Sequence, residues 1–411
     1  MTGPTNELAP PRERRFLLTL AGINFSHILD FMVMMPLGPI LIRELAIDTH
    51  QFGLLVASYS FSAAASGLLA ATFIDRFERK RLLLVMFALF GVATLACALA
   101  PGYATLITAR GLAGAFGGVL GALVHTLVGD VIPYARRARA SGTVATAFSI
   151  STVAGVPLSL WLANLFGWRA PFVFIAGLTA LFMVAGARVL PELRHHVSEA
   201  KPHPLAALSA VLADRNHRRA LLFSALVIFS GFTVIPYITI YTVGNVGIAQ
   251  TDIPWIYLVG GTATLFTARR IGHWADRRGK VEVYRRLALL ATLPLLGITH
   301  LSGLPLAGWL VVTTLFFVLV SGRMIPAMTV VTSAAEPRLR GTFMSLNSTV
   351  QSVAMGIATT LAGYIVSQDG PRIVGYPSVG YVAIAANVLA ILYVSRIVIR
   401  DAHPTAPQPP A

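Results

Sequence analysis

Twelve apolar runs, most about 20 residues long or longer, divide this 411-residue chain. They lie at roughly 16–41, 51–74, 82–100, 105–131, 140–165, 169–190, 220–245, 253–275, 284–301, 306–334, 342–367 and 376–399. A hydrocarbon core about 30 Å thick is crossed by about 20 residues of helix, so each run reads as one membrane-crossing helix. The composition agrees, with 55% hydrophobic and only 12% charged residues, where a soluble domain carries nearer a quarter charged. No stretch shows the ten-residue alternation of a membrane barrel. The first run is too long for a signal-peptide core and reads as a retained span.

The charges lie between the runs. A formal net charge of +15 raises the question of a nucleic-acid partner, but the basic residues fall in short clusters on one set of loops. The N-terminal arm carries Arg12, Arg14 and Arg15. The even-numbered loops carry Arg76, Arg79, Lys80 and Arg81, then Arg136, Arg137 and Arg139, then Arg194, Lys201, Arg215, Arg218 and Arg219. Arg269 to Arg286 and the pair Arg338 and Arg340 complete the set, and the odd loops hold only Arg43, Arg169 and Arg372. Positive loops stay on the cytoplasmic face, so both termini are expected there and the charge reports topology, with no nucleic acid implied. The connection Pro191 to Arg219 splits the spans six and six. The expected organisation is an arm (1–15), a six-helix bundle (16–190), a cytoplasmic linker (191–219), a second bundle (220–400) and a proline-rich disordered tail (401–411). This is an all-α membrane protein of two related bundles, for which a central site between the halves is expected.

A polar cassette recurs at half-length. The first copy reads Asp75-Arg76-Phe77-Glu78-Arg79-Lys80, and the second Gly272-His273-Trp274-Ala275-Asp276-Arg277-Arg278-Gly279-Lys280. Each follows the second span of its half. The aspartates exceed what a topology signal needs, because acids barely count in that signal. An Asp–Arg network at helix ends would latch the cytoplasmic side in one state. Twelve spans in two halves with this cassette resemble the major facilitator superfamily, whose pattern in that loop is Gly-x-x-x-Asp-Arg-x-Gly-Arg/Lys-Arg/Lys. Gly272, Asp276, Arg277, Gly279 and Lys280 match it, as do Asp75, Arg76, Arg79 and Lys80, while Ala71 and Glu78 stand where the pattern has glycine. Arg110-Gly111-Leu112-Ala113-Gly114 is similar to an element of span 4, and Gly155-Val156-Pro157 to the hinge element of the drug and sugar efflux branch. The resemblance implies spans 1, 4, 7 and 10 around a water-reached cavity, a monomer, and a place in a bacterial inner membrane.

Ionisable side chains within spans are costly and mark function. Span 1 holds His27 and Asp30, span 4 Arg110 and His125, and span 10 Arg323. At a rise of 1.5 Å per residue, Asp30 lies roughly 21 Å from the cytoplasmic face and Arg110 roughly 8 Å from the opposite one, so their depths coincide. Arg323 lies roughly 25 Å in from the outer face, nearer the cytoplasm. Burial favours a neutral carboxyl and a guanidinium favours the charged one, so Asp30 is the candidate proton carrier. His27 shares its helix face and titrates near neutrality. Arg110, Arg323, His125, Tyr237 and Tyr241 are candidates for substrate contact. The glycines of span 4 suit close helix approach, and Pro36, Pro39, Pro157, Pro236 and Pro326 suit bending.

Enzyme chemistry finds no support. The chain lacks a phosphate-cradling Gly-Lys-Ser/Thr loop and a His-Glu-x-x-His metal site, and Cys97 is its single cysteine, so no cofactor or metal is expected. The expected function is a secondary transporter exporting a small amphipathic organic compound in exchange for protons, by alternating access. Uptake or facilitated movement of an anionic metabolite or lipid-like molecule is the alternative, with Arg110 and Arg323 binding the anion. A non-transporting membrane receptor is the third reading.

Overall fold

The structure, a computed structural model, describes residues 10–73, 77–191 and 204–400. The cassette residues Asp75 and Arg76, the linker residues His195, His196 and Lys201, and the tail 401–411 lie outside them.

The N-terminal half contains α1 (Pro10–Val33), α2 (Gly38–Leu45), α3 (Thr49–Phe73), α4 (Arg79–Leu99), α5 (Tyr103–Val131), α6 (Tyr134–Ile150), α7 (Val156–Phe166) and α8 (Ala170–Val189). A short helix of the linker, α9 (Pro204–Ala213), leads to the C-terminal half. That half holds α10 (Arg215–Phe232), α11 (Ile238–Tyr241), α12 (Ile253–Arg278), α13 (Lys280–His300), α14 (Leu306–Gly322), α15 (Met324–Ala334), α16 (Arg340–Ile365) and α17 (Tyr376–Val394). Helix α1 begins at Pro10 and runs from the arm straight into the first span.

The extra helices arise where prolines interrupt spans. Proline removes an N–H donor and clashes with the preceding turn. Span 1 breaks at Met34–Leu37, around Pro36 and ahead of Pro39. Span 7 tightens into a 3-10 turn at Ile235–Tyr237, and span 10 breaks at Arg323, three residues before Pro326. Span 5 widens into a π-turn at Ser151–Gly155 just before Pro157. There Gly155 lies so close to α1 that a Cβ would stand 2.8 Å from the Leu29 side chain.

Nine helical stretches among the described residues are long and apolar enough to cross a membrane by length and composition alone. Helices α12, α13 and α16 fall outside that set for local reasons. The first two carry the cassette and its neighbouring charges, and α16 is rich in Ser and Thr. They still complete the two six-helix halves. Large apolar side chains such as Val92, Leu165, Phe266 and Leu293 stand outward and exposed, which water would penalise and lipid does not.

A single hydrophobic cluster joins Leu37, Phe52 and Trp168 of the first half to Tyr237, Tyr241, Trp309 and Tyr376 of the second. It sits on the side opposite the linker. The clusters nearer the linker belong to one half each: Phe16, Leu83 and Leu127 in the first, Phe223, Val330 and Val394 in the second. Helix α3 runs along α16, and α7 along α12, at the seam between halves. A two-stranded hairpin, β1 (Ser367–Asp369) and β2 (Arg372–Val374), lies on the side opposite the linker. Asn245 stitches it to span 7 by donating to Ile373 O and accepting from Ile373 N, both at 2.9 Å. Nothing in the apolar pattern announced this hairpin.

Candidate functional site

Asp30 occupies the last full turn of α1 before the proline break and is 0% exposed. Arg110, two turns into α5, reaches it with Nη1 2.7 Å from Oδ2. The same nitrogen donates to the Asp30 carbonyl oxygen at 3.3 Å. Thr94 of α4 donates its hydroxyl to Asp30 Oδ1 at 3.3 Å. The Arg110 guanidinium carbon sits 4.7 Å from the centre of the Tyr59 ring of α3, a cation–π contact. Four helices thus enclose one carboxylate and one guanidinium, and removing either partner would strand a buried charge at a cost of about 3–5 kcal/mol.

The arrangement depends on glycine. A Cβ at Gly114 would lie 2.3 Å from the Tyr59 carbonyl oxygen, and one at Gly117 2.3 Å from the Tyr59 hydroxyl. Small residues let α5 approach α3 this closely. Gly114→Val should therefore lower stability by about 3 kcal/mol or more, seen as a depressed melting temperature in detergent. An unchanged melting curve would mean that the α3–α5 contact tolerates separation.

The expectation that water reaches these residues is corrected here. Arg110 is 1% exposed and Asp30 0%. The rings of Tyr59, Phe31 and Phe232 form a chain, with centroid separations of 5.4 and 6.1 Å. That chain crosses from the first half to the second beside the pair. His27, one turn from Asp30 toward the linker side, is half-buried and bonded through Nε2 to Asn24 Oδ1 at 2.8 Å. His125 of α5 is exposed and within electrostatic reach of His27. Both histidines lie toward the linker side of the enclosed pair along α1 and α5.

Arg323 lies elsewhere. It is 0% exposed inside the second half, bonded to Asn387 Oδ1 of α17 and, at 3.2 Å, to Ser230 Oγ of α10. Asp30 precedes Pro36 by six residues, and Ser230 precedes Pro236 by six. The halves therefore place an acid and a serine at matching positions, each beside an arginine of the fourth span of its half. Among the described residues Arg323 has no carboxylate partner. Ser230→Asp should complete the second pair with little net change in melting temperature, because the attraction offsets the cost of burying a second charge. A fall instead would mean that the neutral partners already satisfy the guanidinium.

Tyr237 and Tyr241 also depart from the expected cavity role in this conformation. The Tyr237 hydroxyl donates to Thr49 O at 3.2 Å and Thr359 O at 3.3 Å, tying the two halves together. Tyr241 packs on Tyr376 at 4.9 Å and Trp309 at 6.3 Å. A Cβ on Gly53 or Gly363 would lie 2.3 or 2.7 Å from the Tyr237 hydroxyl, so the helices approach closely around it.

At the linker-side end, Arg79 is 4% exposed and pairs through Nε with Asp130 Oδ2 of α5 at 2.6 Å. The Glu78 carboxylate caps α4, accepting from Lys80 N at 2.9 Å and Arg81 N at 2.7 Å. That is why an acid suits the position where the family pattern has glycine. In the second copy, Gly279 has φ +91° between α12 and α13, a conformation side chains rarely adopt. Gly272 has open space around it, and Asp276 and Arg277 are exposed, with Lys280 starting α13. No ion pair between described residues joins the halves.

The Major Facilitator Superfamily model matches residues 20–359. The chain belongs to that superfamily. It is therefore a membrane transporter and not an enzyme. Among relatives in the superfamily, a chloramphenicol efflux pump of Mycobacterium tuberculosis (strain CDC 1551 / Oshkosh) is 25% identical over 299 residues, spanning 69% of this chain and 70% of the pump. A probable sugar efflux transporter of Mannheimia succiniciproducens is 24% identical over 351 residues, 84% of this chain and 86% of that one. The fold matches the crystal structure of a D-xylose-proton symporter with TM-score 0.77 at 15% identity, covering 95% of this chain and 98% of that one. It also matches a bacterial homologue of the human lysosomal transporter Spinster, inward-facing and occupied, with TM-score 0.72 at 15% identity and coverage of 95% and 98%.

Tyr59, Thr94 and Asp130 also contact these charged groups, though none was among the expected site residues. For Asp130 a signal existed, since it is an acid closing span 4 beside a loop of arginines.

Proposed function

We propose that this transporter exports a small amphipathic organic compound in exchange for protons, with Asp30 as the proton-carrying group. The observation that carries the reading is the enclosed Asp30–Arg110 pair, placed beside the seam between the halves at the end of a histidine-marked approach. A fully buried carboxylate changes its proton occupancy only when the surrounding packing changes. That links protonation to conformation.

The basic loops favour a cytoplasmic linker side, and the hydrophobic cluster shared by both halves lies on the opposite side, which supports loading of substrate from within. Closing the cytoplasmic side and opening the far side would expose the pair to outside protons. A protonated Asp30 then accompanies the return step and releases its proton inward past His27 and His125. The Arg79–Asp130 pair and the cassette would serve the closed cytoplasmic state as a latch. The membrane potential contributes about 2.3 kcal/mol per net charge per 100 mV. Two relatives bear efflux in their names, one of them for chloramphenicol, which favours export and an amphipathic substrate.

Movement of an anionic metabolite draws less support. Arg110 is neutralised by Asp30, and Arg323 is enclosed within the second half, so neither guanidinium faces the opening. The test is transport by the purified chain in proteoliposomes, with chloramphenicol as first probe and an imposed pH gradient. Accumulation that follows the gradient and collapses with a protonophore is expected. Flux indifferent to the gradient would refute proton coupling, and pH-driven flux of organic anions alone would favour the other substrate class.

A further inference from the structure

A second feature lies on the outer rim of the C-terminal half, away from the seam. A surface cavity of about 290 Å³ is lined by Arg215, Arg218, Arg219, Leu222, Tyr393 and Arg396. Three of its arginines occupy one face of α10, at spacings of three and four residues, where like charges repel. The fourth comes from the end of α17, which packs beside α10. Arg219 Nη1 donates to the Arg396 carbonyl oxygen at 3.1 Å, and the Arg396 guanidinium lies 5.5 Å from the Tyr393 ring centre. These contacts hold the arginines around one opening without neutralising them.

None of the four has a carboxylate partner among the described residues. The nearest acid in sequence, Asp214, is already engaged. Its carboxylate binds Arg400 at 2.7 Å and accepts from His217 N at 2.9 Å, capping α10. Burial pushes that carboxyl up, but the bonds from Arg400 and His217 outweigh it and hold it below the usual carboxylate range. It stays charged and committed to its own contacts. Four converging guanidinium groups at close quarters call for an anion from outside the chain.

The surroundings say what kind. Leu222 lines the same cavity and is 46% exposed. On α17, Leu389 and Leu392 are 54% and 60% exposed and share a face with Tyr393 and Arg396. Each helix therefore passes, within about 10 Å of rise, from arginine to a bare leucine wall. Tyrosine at such a boundary suits the headgroup level of a bilayer. A free phosphate would use the arginines and leave the wall idle. An amphiphile uses both.

We propose that this cavity binds the headgroup of an anionic phospholipid in the linker-side leaflet. Its phosphodiester would lie among Arg215, Arg218, Arg219 and Arg396, and its acyl chains along Leu222, Leu389 and Leu392. Arginine forks match phosphate oxygens two at a time, and basic pockets between transmembrane helices on the cytoplasmic side are suited to such headgroups.

The test is native mass spectrometry of the whole purified chain, released from detergent after addition of phosphatidylglycerol or phosphatidylcholine. The wild type should retain phosphatidylglycerol with roughly tenfold preference or more, and Arg218→Gln with Arg396→Gln should weaken it by roughly tenfold. Arg139→Gln with Arg285→Gln removes the same charge elsewhere and should leave retention unchanged. Millimolar inorganic phosphate should not displace the lipid. Equal retention of phosphatidylcholine, equal loss in the control pair, or displacement by phosphate would each overturn the proposal. Should the glutamine pair fail to fold, Arg218→Lys with Arg396→Lys keeps the charge and loses the forks. Undiminished retention in that pair would overturn it as well.

Discussion

Replacing Asp30 with asparagine should abolish proton-coupled transport while leaving the local hydrogen bonds largely in place. The asparagine has nearly the shape of the carboxylate. It can still accept from the Thr94 hydroxyl, and the backbone carbonyl of residue 30 still accepts from Arg110 Nη1. What is lost is the titratable charge and the neutraliser of Arg110, itself 1% exposed. Two readouts therefore move together. Substrate addition should no longer shift protons in proteoliposomes, and the melting temperature should fall, because a lone buried guanidinium costs about 3–5 kcal/mol. Adding Arg110→Met to Asp30→Asn removes the stranded charge. The double variant should regain much of the lost stability and none of the coupling. That separation distinguishes a proton carrier from a structural ion pair. An Asp30→Asn protein that still accumulates substrate along a pH gradient would end the assignment. A double variant that recovers coupling would end it equally.

The depth of Asp30 and Arg110 was legible because helix rise is constant. Counting inward from opposite faces placed them at one level, and they meet at 2.7 Å. Which way each side chain turns at that level is set by packing between distant segments. Tyr59 and Thr94 complete the pair from α3 and α4, and no local pattern in either helix announces it. The prolines were legible for the same reason as the depth. Pro36, Pro157, Pro236 and Pro326 each forbid a regular turn, and each span bends or breaks beside its proline. Glu78 was legible in principle, as an acid one residue before a helix, yet it reads as a blemish when measured only against a family pattern. Tyr237 shows the limit of helix-face reasoning. Its i,i+4 relation to Tyr241 is real, but in the conformation seen here Tyr237 is buried against the other half.

Cross-linking residues 50 and 364 should arrest transport in the conformation observed. His50 lies in the first turn of α3 and Tyr364 in the last turn of α16, on opposite halves, and their rings pack at a tilt of 41° with centroids 4.0 Å apart. Around them Thr49 Oγ1 donates to Val366 O at 2.8 Å, and a Cβ on Gly363 would lie 3.4 Å from the His50 Cα. This contact joins the two halves on the far side, and alternating access requires it to open. In a Cys97→Ser background, His50→Cys with Tyr364→Cys should react with a short bifunctional thiosulfonate, and flux should fall to that of the uncross-linked fraction. Reduction should restore it. Substrate binding from the linker side should survive, because the cross-link lies at the opposite end of the seam. A second pair, Trp161→Cys with Trp255→Cys, sits at the other seam, where the rings are 6.1 Å apart, and should behave alike. Full flux through a fully cross-linked protein would show that substrate crosses without separating these helices. Loss of binding along with flux would mean that the linker side is not the loading side, and the direction of transport inferred from the basic loops would reverse.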